Sequence, residues 1–270
     1  MGGLSAVGWG SLPSSSPVVI AFGWVGALTA WALFSSPMGT FVKIARDGKV
    51  RGFDHLPYVV SVANCGLWVS YGLITPNRLQ PLVTNAVGAV LELAYCVVFV
   101  RCSPTRKCLR DLVLALSCIA AVDLLAVLGA GEFFPRVGGD APASSLVGLA
   151  AAALNTAMYA APLNVVRRVV RSKSVEFMPL GLAFGGFFCS ATWTVYAIAV
   201  GDLAIFIPNI CGDVLAIIQF VVYAAYNDAD DAVTRRCPCV VAKTRSSSSP
   251  RIDAAPLLVG DPPPPDATTV

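Results

Sequence analysis

An all-α membrane protein of seven transmembrane helices, built as two parallel three-helix bundles joined by a linker helix (3+1+3), is the fold class this 270-residue sequence predicts. Three observations predict it. The chain is 56% hydrophobic and only 13% charged, with a mean hydropathy of +0.71, which is more apolar side chain than one soluble core can bury. Its basic residues alternate along the sequence. Finally, landmarks recur: Pro37 and Pro162, Trp68 and Trp193, and Tyr71 and Tyr196 are each 125 positions apart, and Asn85 and Asn209 are 124 apart.

Crossing about 30 Å of hydrocarbon takes roughly 20 helical residues, and seven apolar stretches are long enough. Segment 1, residues 18–42, is expected to be a membrane helix and not a secretory signal, because no Lys or Arg precedes its end and its apolar run is too long. It carries Pro37. Segment 2, residues 56–74, opens on Pro57 and carries Trp68 and Tyr71; segment 3, residues 80–100, carries Asn85 and Glu92. Segment 4, residues 111–130, has none of the recurring landmarks. Segments 5 (146–166), 6 (178–200) and 7 (203–226) then repeat the order with Pro162, with Pro179, Trp193 and Tyr196, and with Asn209. Three helices are an odd number, so a copy that followed directly would be inverted. A single extra crossing returns it to the first orientation, which explains segment 4.

Seventeen of the 19 Lys and Arg residues fall after segments 1, 3, 5 and 7; only Arg78 and Arg136 lie in the alternate loops. The positive-inside rule then places the N-terminus outside and the C-terminus in the cytosol. The expected organisation is an extracytosolic N-terminus (1–17), a first repeat (18–105), linker helix 4 (106–140), a second repeat (141–227) and a disordered cytosolic tail (228–270) whose composition turns acidic, then Ser-rich and Pro-rich.

The same inventory excludes several chemistries. The net charge of +3 is a topological signal, so no nucleic-acid partner is expected. His55 is the single histidine, and the nine cysteines are scattered through apolar helices or, like Cys237 and Cys239, isolated in the tail. No metal site, cofactor, disulfide framework or catalytic group is expected, and the chain is not read as an enzyme.

What remains are the paired residues. Pro37, Pro57, Pro162 and Pro179 each remove a backbone donor and weaken a helix, suggesting hinges or a gate; for Pro57 and Pro179 simple helix starts are equally consistent. Trp68 and Trp193 share a helix face relative to those prolines, and an indole stacks on the C–H face of an uncharged, hydroxyl-rich solute. Asn85 and Asn209 offer two donors and an acceptor for neighbouring hydroxyls, each with a glycine three residues on (Gly88, Gly212) that suggests a symmetric cavity floor. Glu92, Asp123 and Asp213 are intramembrane acids, for which structural pairing competes with proton coupling.

The stretches SPMGTFVKI, LPYVVSVANCGLWVSYGL, TNAVGAVLELAY, MYAAPLNVVRRVVRSKSVEFMP, ATWTVYA and IPNICGDVLAIIQFVVYAAY resemble the plant SWEET (MtN3/saliva) sugar transporters over residues 18–226. Parallel repeats are the known arrangement of that family. The resemblance implies that each third helix packs between its first and second, and that sugar moves by facilitated, bidirectional alternating access. It implies that Asn85, Asn209, Trp68 and Trp193 contact the sugar, that Pro37, Pro57, Pro162 and Pro179 form a tetrad near a cytosolic gate, and that Tyr71 and Asp202 belong to an extracellular gate. Asp213 stands where the family has an apolar or small residue. Expected partners are a sugar (glucose, fructose or sucrose), membrane lipid and a further copy of the chain in a homo-oligomer. The expected location is the plasma membrane, with the vacuolar membrane as the alternative suggested by Asp253 to Leu258, an acidic dileucine pattern. A proton-coupled transporter and, behind it, a seven-helix receptor are the competing functions. A receptor has no use for duplicated prolines.

Overall fold

The computed structural model describes residues 12–50, 52–129, 141–175 and 178–236, and all regular structure within them is α-helix. In chain order the helices are α1 (Pro17–Ser35), α2 (Met38–Asp47), α3 (Leu56–Ile74), α4 (Leu79–Cys102), α5 (Lys107–Val127), α6 (Pro142–Met158), α7 (Ala160–Ser172), α8 (Leu180–Val200) and α9 (Leu203–Arg236). Helix occupies each of the seven expected segments, and two of them are broken. Segment 1 is the 31-residue stretch Pro17–Asp47, interrupted between α1 and α2, and segment 5 is Pro142–Ser172, interrupted between α6 and α7. The acidic dileucine pattern and the cysteines of the tail lie outside the described residues.

Both breaks have a local cause. Pro37 has no N–H for the carbonyl of Leu33, which instead accepts the N–H of Ser36 (3.1 Å), a tighter turn that ends α1. In the second copy the N–H of Tyr159 turns back to Thr156 (3.1 Å), and Pro162 follows in the first turn of α7. Pro57 and Pro179 act differently. Pro57 occupies the opening turn of α3 and Pro179 is the N-cap residue of α8, so these two start helices.

Among the described residues six stretches are long and apolar enough to cross a membrane by length and composition; α5 falls short because Arg110, Asp111 and Asp123 interrupt its 21 residues. It is still tied in. Its Asp123 accepts a hydrogen bond from Ser70 of α3 (2.9 Å), and at its start Asp111 meets His55 (2.9 Å), the residue before α3.

Packing gives each bundle an order different from the chain order. α4 lies against both α1 and α3, which make no comparable contact with each other, and α9 lies against α6 and α8 in the same way. The bundles meet where α1 packs on α8 and α3 on α6. Exchanging the two copies converts one of these contacts into the other, so the interface has twofold pseudosymmetry. Helix α5 lies against α3, α4 and α6, outside both bundles.

Lipid supplies no hydrophobic drive for helices to associate, so close approach through small residues and polar contacts must do so. The interface core shows this. Trp68, Tyr71, Trp193 and Tyr196 are buried beside Ala151, Ala197 and Ala204. A second cluster fills the other half of the first bundle, where Phe41 of α2 stacks on Tyr95 of α4 (4.3 Å between centroids) and meets Tyr58 of α3 edge-on (4.8 Å). Large apolar side chains such as Leu28, Val90, Leu114 and Val221 remain exposed on the periphery, as suits a surface facing hydrocarbon.

Candidate functional site

Asn85 sits in the second turn of α4 and Asn209 in the second turn of α9, both half-buried. Each donates one amide N–H to the carbonyl one turn back, Asn85 to Pro81 (2.9 Å) and Asn209 to Ile205 (2.7 Å). The second N–H and the amide oxygen make no hydrogen bond among the described residues, and they are available to a hydroxylated solute. The backbone just before each Asn is also held by its own first helix. In the first bundle Trp31 Nε1 donates to the carbonyl of Thr84 (3.3 Å), and in the second the Tyr159 hydroxyl donates to the carbonyl of Pro208 (2.9 Å). Different side chains thus do the same job in the two copies. Neither Trp31 nor Tyr159 was singled out from sequence, because the two are not at matched positions.

Trp68 and Trp193 lie at the bundle interface, 5% and 8% exposed. Each indole meets the tyrosine three residues on edge-to-face, Trp68 with Tyr71 at 5.6 Å and Trp193 with Tyr196 at 5.3 Å. The Trp193 ring also covers Gly26 of α1 so closely that a Cβ there would fall 2.9 Å from it. The expected stacking walls are therefore packed against protein in this conformation.

Glycines at matched positions let the two tyrosines reach across. A Cβ on Gly23 would lie 2.7 Å from Gln80 and 3.1 Å from the Tyr196 ring, and one on Gly148 would lie 2.8 Å from the Tyr71 ring and 3.0 Å from Ala204. Each tyrosine packs on the first helix of the opposite bundle. Gly88 and Gly212, expected as a cavity floor, instead receive the aromatic residue preceding each break: Phe34 would stand 2.6 Å from a Cβ on Gly88, and the Tyr159 hydroxyl 2.5 Å from one on Gly212.

One end of the interface is closed by charge. The Tyr71 hydroxyl and Arg78 Nε both donate to Oδ2 of Asp202, each at 2.7 Å, while Oδ1 accepts the N–H of Ile205 (3.1 Å) and caps α9. Asp202 is 1% exposed. Burial alone would draw the Arg78 pKa down, but the charge and hydrogen bond of Asp202, with Tyr71 and Tyr196 nearby, more than offset it and hold the guanidinium above its ordinary value. Arg78 and Asp202 are 124 positions apart, so the copies contribute opposite charges at equivalent places. Sequence reading had Tyr71 and Asp202 but not Arg78, which stood out only as one of two basic residues in the alternate loops.

At the other end α2 and α7 each pack within their own bundle. α2 packs on α4, and α7 on α9 and α6, with no comparable packing of either onto the opposite bundle. Pro57 and Pro162 are buried there, Pro37 is half-buried and Pro179 exposed. The intramembrane acids divide: Asp123 pairs with Ser70 and Asp213 with Ser190 and Thr194, while Oε2 of the buried Glu92 has no hydrogen-bond partner. No cluster of metal-ligating side chains occurs among the described residues.

Comparison with known proteins agrees with this geometry. A family profile described as "Sugar efflux transporter for intercellular exchange" matches residues 20–107 and 145–231. The chain is 37% identical over 218 residues to Bidirectional sugar transporter SWEET4 of Oryza sativa, covering 79% of this chain and 82% of that one. It is 32% identical over 212 residues to Bidirectional sugar transporter SWEET16 of Arabidopsis thaliana, covering 78% and 90%. A solved structure of a eukaryotic SWEET transporter superposes with a TM-score of 0.70 at 34% identity, over 78% of this chain and 97% of that one. Duplicated bundles, paired asparagines and these matches together place the chain in the SWEET (MtN3/saliva) family of sugar transporters.

Proposed function

We infer that this chain is a facilitative, bidirectional sugar transporter that moves a mono- or disaccharide by alternating access. The observation that carries the reading is the pair Asn85 and Asn209, one from each copy, half-exposed, with Tyr71, Arg78 and Asp202 closing the interface at one end and α2 and α7 packed within their own bundles at the other. Each asparagine keeps an acceptor and a donor for sugar hydroxyls. Trp68 and Trp193 flank the site and present an indole face to the pyranose when the bundles shift. The Tyr71–Asp202–Arg78 network is the extracellular gate. The breaks at Pro37 and Pro162 are the hinges through which α2 and α7 close the cytosolic end, and Pro57 and Pro179 shape its rim.

The positions of Lys43, Arg46, Arg101, Arg106, Arg167 and Arg171, on or beside α2, α7 and the α4–α5 turn, support an external N-terminus and a cytosolic C-terminus. The plasma membrane is the proposed location, surrounded by lipid and with a homo-oligomer as the assembled form. A fluorescent fusion, with and without Leu257 and Leu258 replaced, separates the plasma from the vacuolar membrane.

Liposomes bearing the protein test the transport reading with radiolabelled glucose, fructose and sucrose. At least one of these sugars is expected to equilibrate in both directions without an imposed proton gradient. Flux that followed the gradient and vanished in Asp213→Asn would replace uniport with proton coupling.

A further inference from the structure

We propose that Asp213 is a positioning residue for the sugar site: through Ser190 and Thr194 it pins α8 to α9 and so holds Trp193 and Asn209 in one binding geometry. The proposal rests on the sugar-site reading above. Asp213 lies four residues beyond Asn209, one turn along neighbouring surface of α9. It is 8% exposed, and both carboxyl oxygens are engaged: Ser190 Oγ donates to Oδ1 (2.6 Å) and Thr194 Oγ1 to Oδ2 (2.7 Å). These are short bonds. Their donors are one turn apart on α8, and Thr194 adjoins Trp193, so one carboxyl ties the stretch carrying the indole to the stretch carrying the amide.

Of α6, α7 and α8, which pack against α9, α7 alone carries charged residues, Arg167, Arg168 and Arg171. α1, α6 and α8 contain no acidic or basic residue, and Asp213 is the sole one on α9 up to Tyr226; the basic groups nearest to it along the chain are Arg235 and Arg236 at the far end of α9 and Lys173 after α7. An acid in hydrocarbon is expensive unless its hydrogen bonds are complete. Each oxygen already accepts a bond from α8 and the residue is 8% exposed, so Asp213 acts through its neighbours. A second contact converges on the same turn of α9. The Tyr159 hydroxyl holds the Pro208 carbonyl from the α6–α7 break, and Gly212 admits both that hydroxyl and Ser190, whose Cβ would stand 3.2 Å from a Cβ at 212. Asn209 is thereby fixed on both sides, at Pro208 and at Asp213. The first copy holds the residue before Asn85 through Trp31 but has no counterpart of the Asp213 clamp, since Cys65, Val69 and Ala89 occupy the matched positions. The two sugar-facing asparagines are symmetric in placement and unequal in support.

The test is exchange of the transported sugar in liposomes, read as KM and maximal rate, with Asn209→Ala, Asp213→Ala, Asp213→Asn and Thr194→Val, and the Tm of each purified protein. Expected is a KM raised about tenfold in Asp213→Ala, on the scale of one or two lost hydrogen bonds, with the maximal rate within about twofold. Asp213→Asn, which keeps one acceptor, should recover part of the loss, and Thr194→Val should add little to Asp213→Ala. If Asp213→Ala does not fold, Thr194→Val and Asp213→Asn carry the same comparison. A KM unchanged in all three while Asn209→Ala abolishes flux overturns the positioning role and leaves the site reading standing. Flux that survives Asn209→Ala overturns the site reading, and the proposal with it.

Discussion

Asp202 shows how far a single residue reaches, for it accepts Tyr71 and Arg78 on one oxygen and caps α9 with the other. Removing one partner of a buried ion pair costs about 3–5 kcal/mol in the state that contains it. Asp202→Asn is therefore expected to depopulate the conformation closed at this end and to lower sugar exchange at least tenfold. Exchange at the unchanged rate would mean that the network is not a gate. At this scale the sequence was informative where both copies keep the same residue: Trp68 and Trp193, Tyr71 and Tyr196, Asn85 and Asn209 all fall at equivalent places in the fold. It was silent where the copies keep a conformation but change the residue. Gly48 and Lys173 both end a helix in the left-handed region (φ 64° and 57°), Asn77 and Gly201 both adopt it in the turn before the third helix (φ 60° and 70°), and no identity betrays either pair. Arg78 escaped for the same reason, since its matched position holds the opposite charge, Asp202, and leaves no repeated letter; Asp202 itself was reached only through resemblance.

The elements followed the apolar stretches closely: Leu56–Ile74 coincides with the expected segment, and most other ends moved by a few residues. Two differences have physical causes. Proline broke α1 from α2 and α6 from α7, so a crossing read as one helix is two half-helices, and α9 continues to Arg236, past the apolar run that ends at Tyr226, because nothing helix-breaking lies between. The four prolines are not equivalent. Pro37→Ala and Pro162→Ala restore an N–H at each break and favour a continuous helix, whereas Pro179→Ala changes an exposed N-cap position. Sugar exchange should fall several-fold in the first two and stay within about twofold in the third. Equal effects at Pro37, Pro162 and Pro179 would return all of them to one common role.

For the whole molecule, composition and the alternation of basic residues led to seven crossings. The order of helices inside a bundle followed only from resemblance, because it depends on which faces meet and no periodicity in these nearly uniform apolar stretches records that. The pairing of α1 with α8 and α3 with α6 is a tertiary fact of the same kind, legible in retrospect through Gly23 and Gly148, which sit 125 positions apart under opposite tyrosines. The proposed topology of seven crossings puts the termini on opposite sides of the membrane. A tag at the N-terminus should be readable on intact cells, and one at the C-terminus only after permeabilisation; both tags on one side would remove a crossing. The account's central claim is that two parallel copies build one sugar site from equivalent asparagines. Exchange of radiolabelled sugar in liposomes, with Asn85→Ala and Asn209→Ala measured singly, tests it most directly. Loss of exchange in each single variant, at unchanged Tm, is the predicted result; full exchange in either one would contradict a shared site.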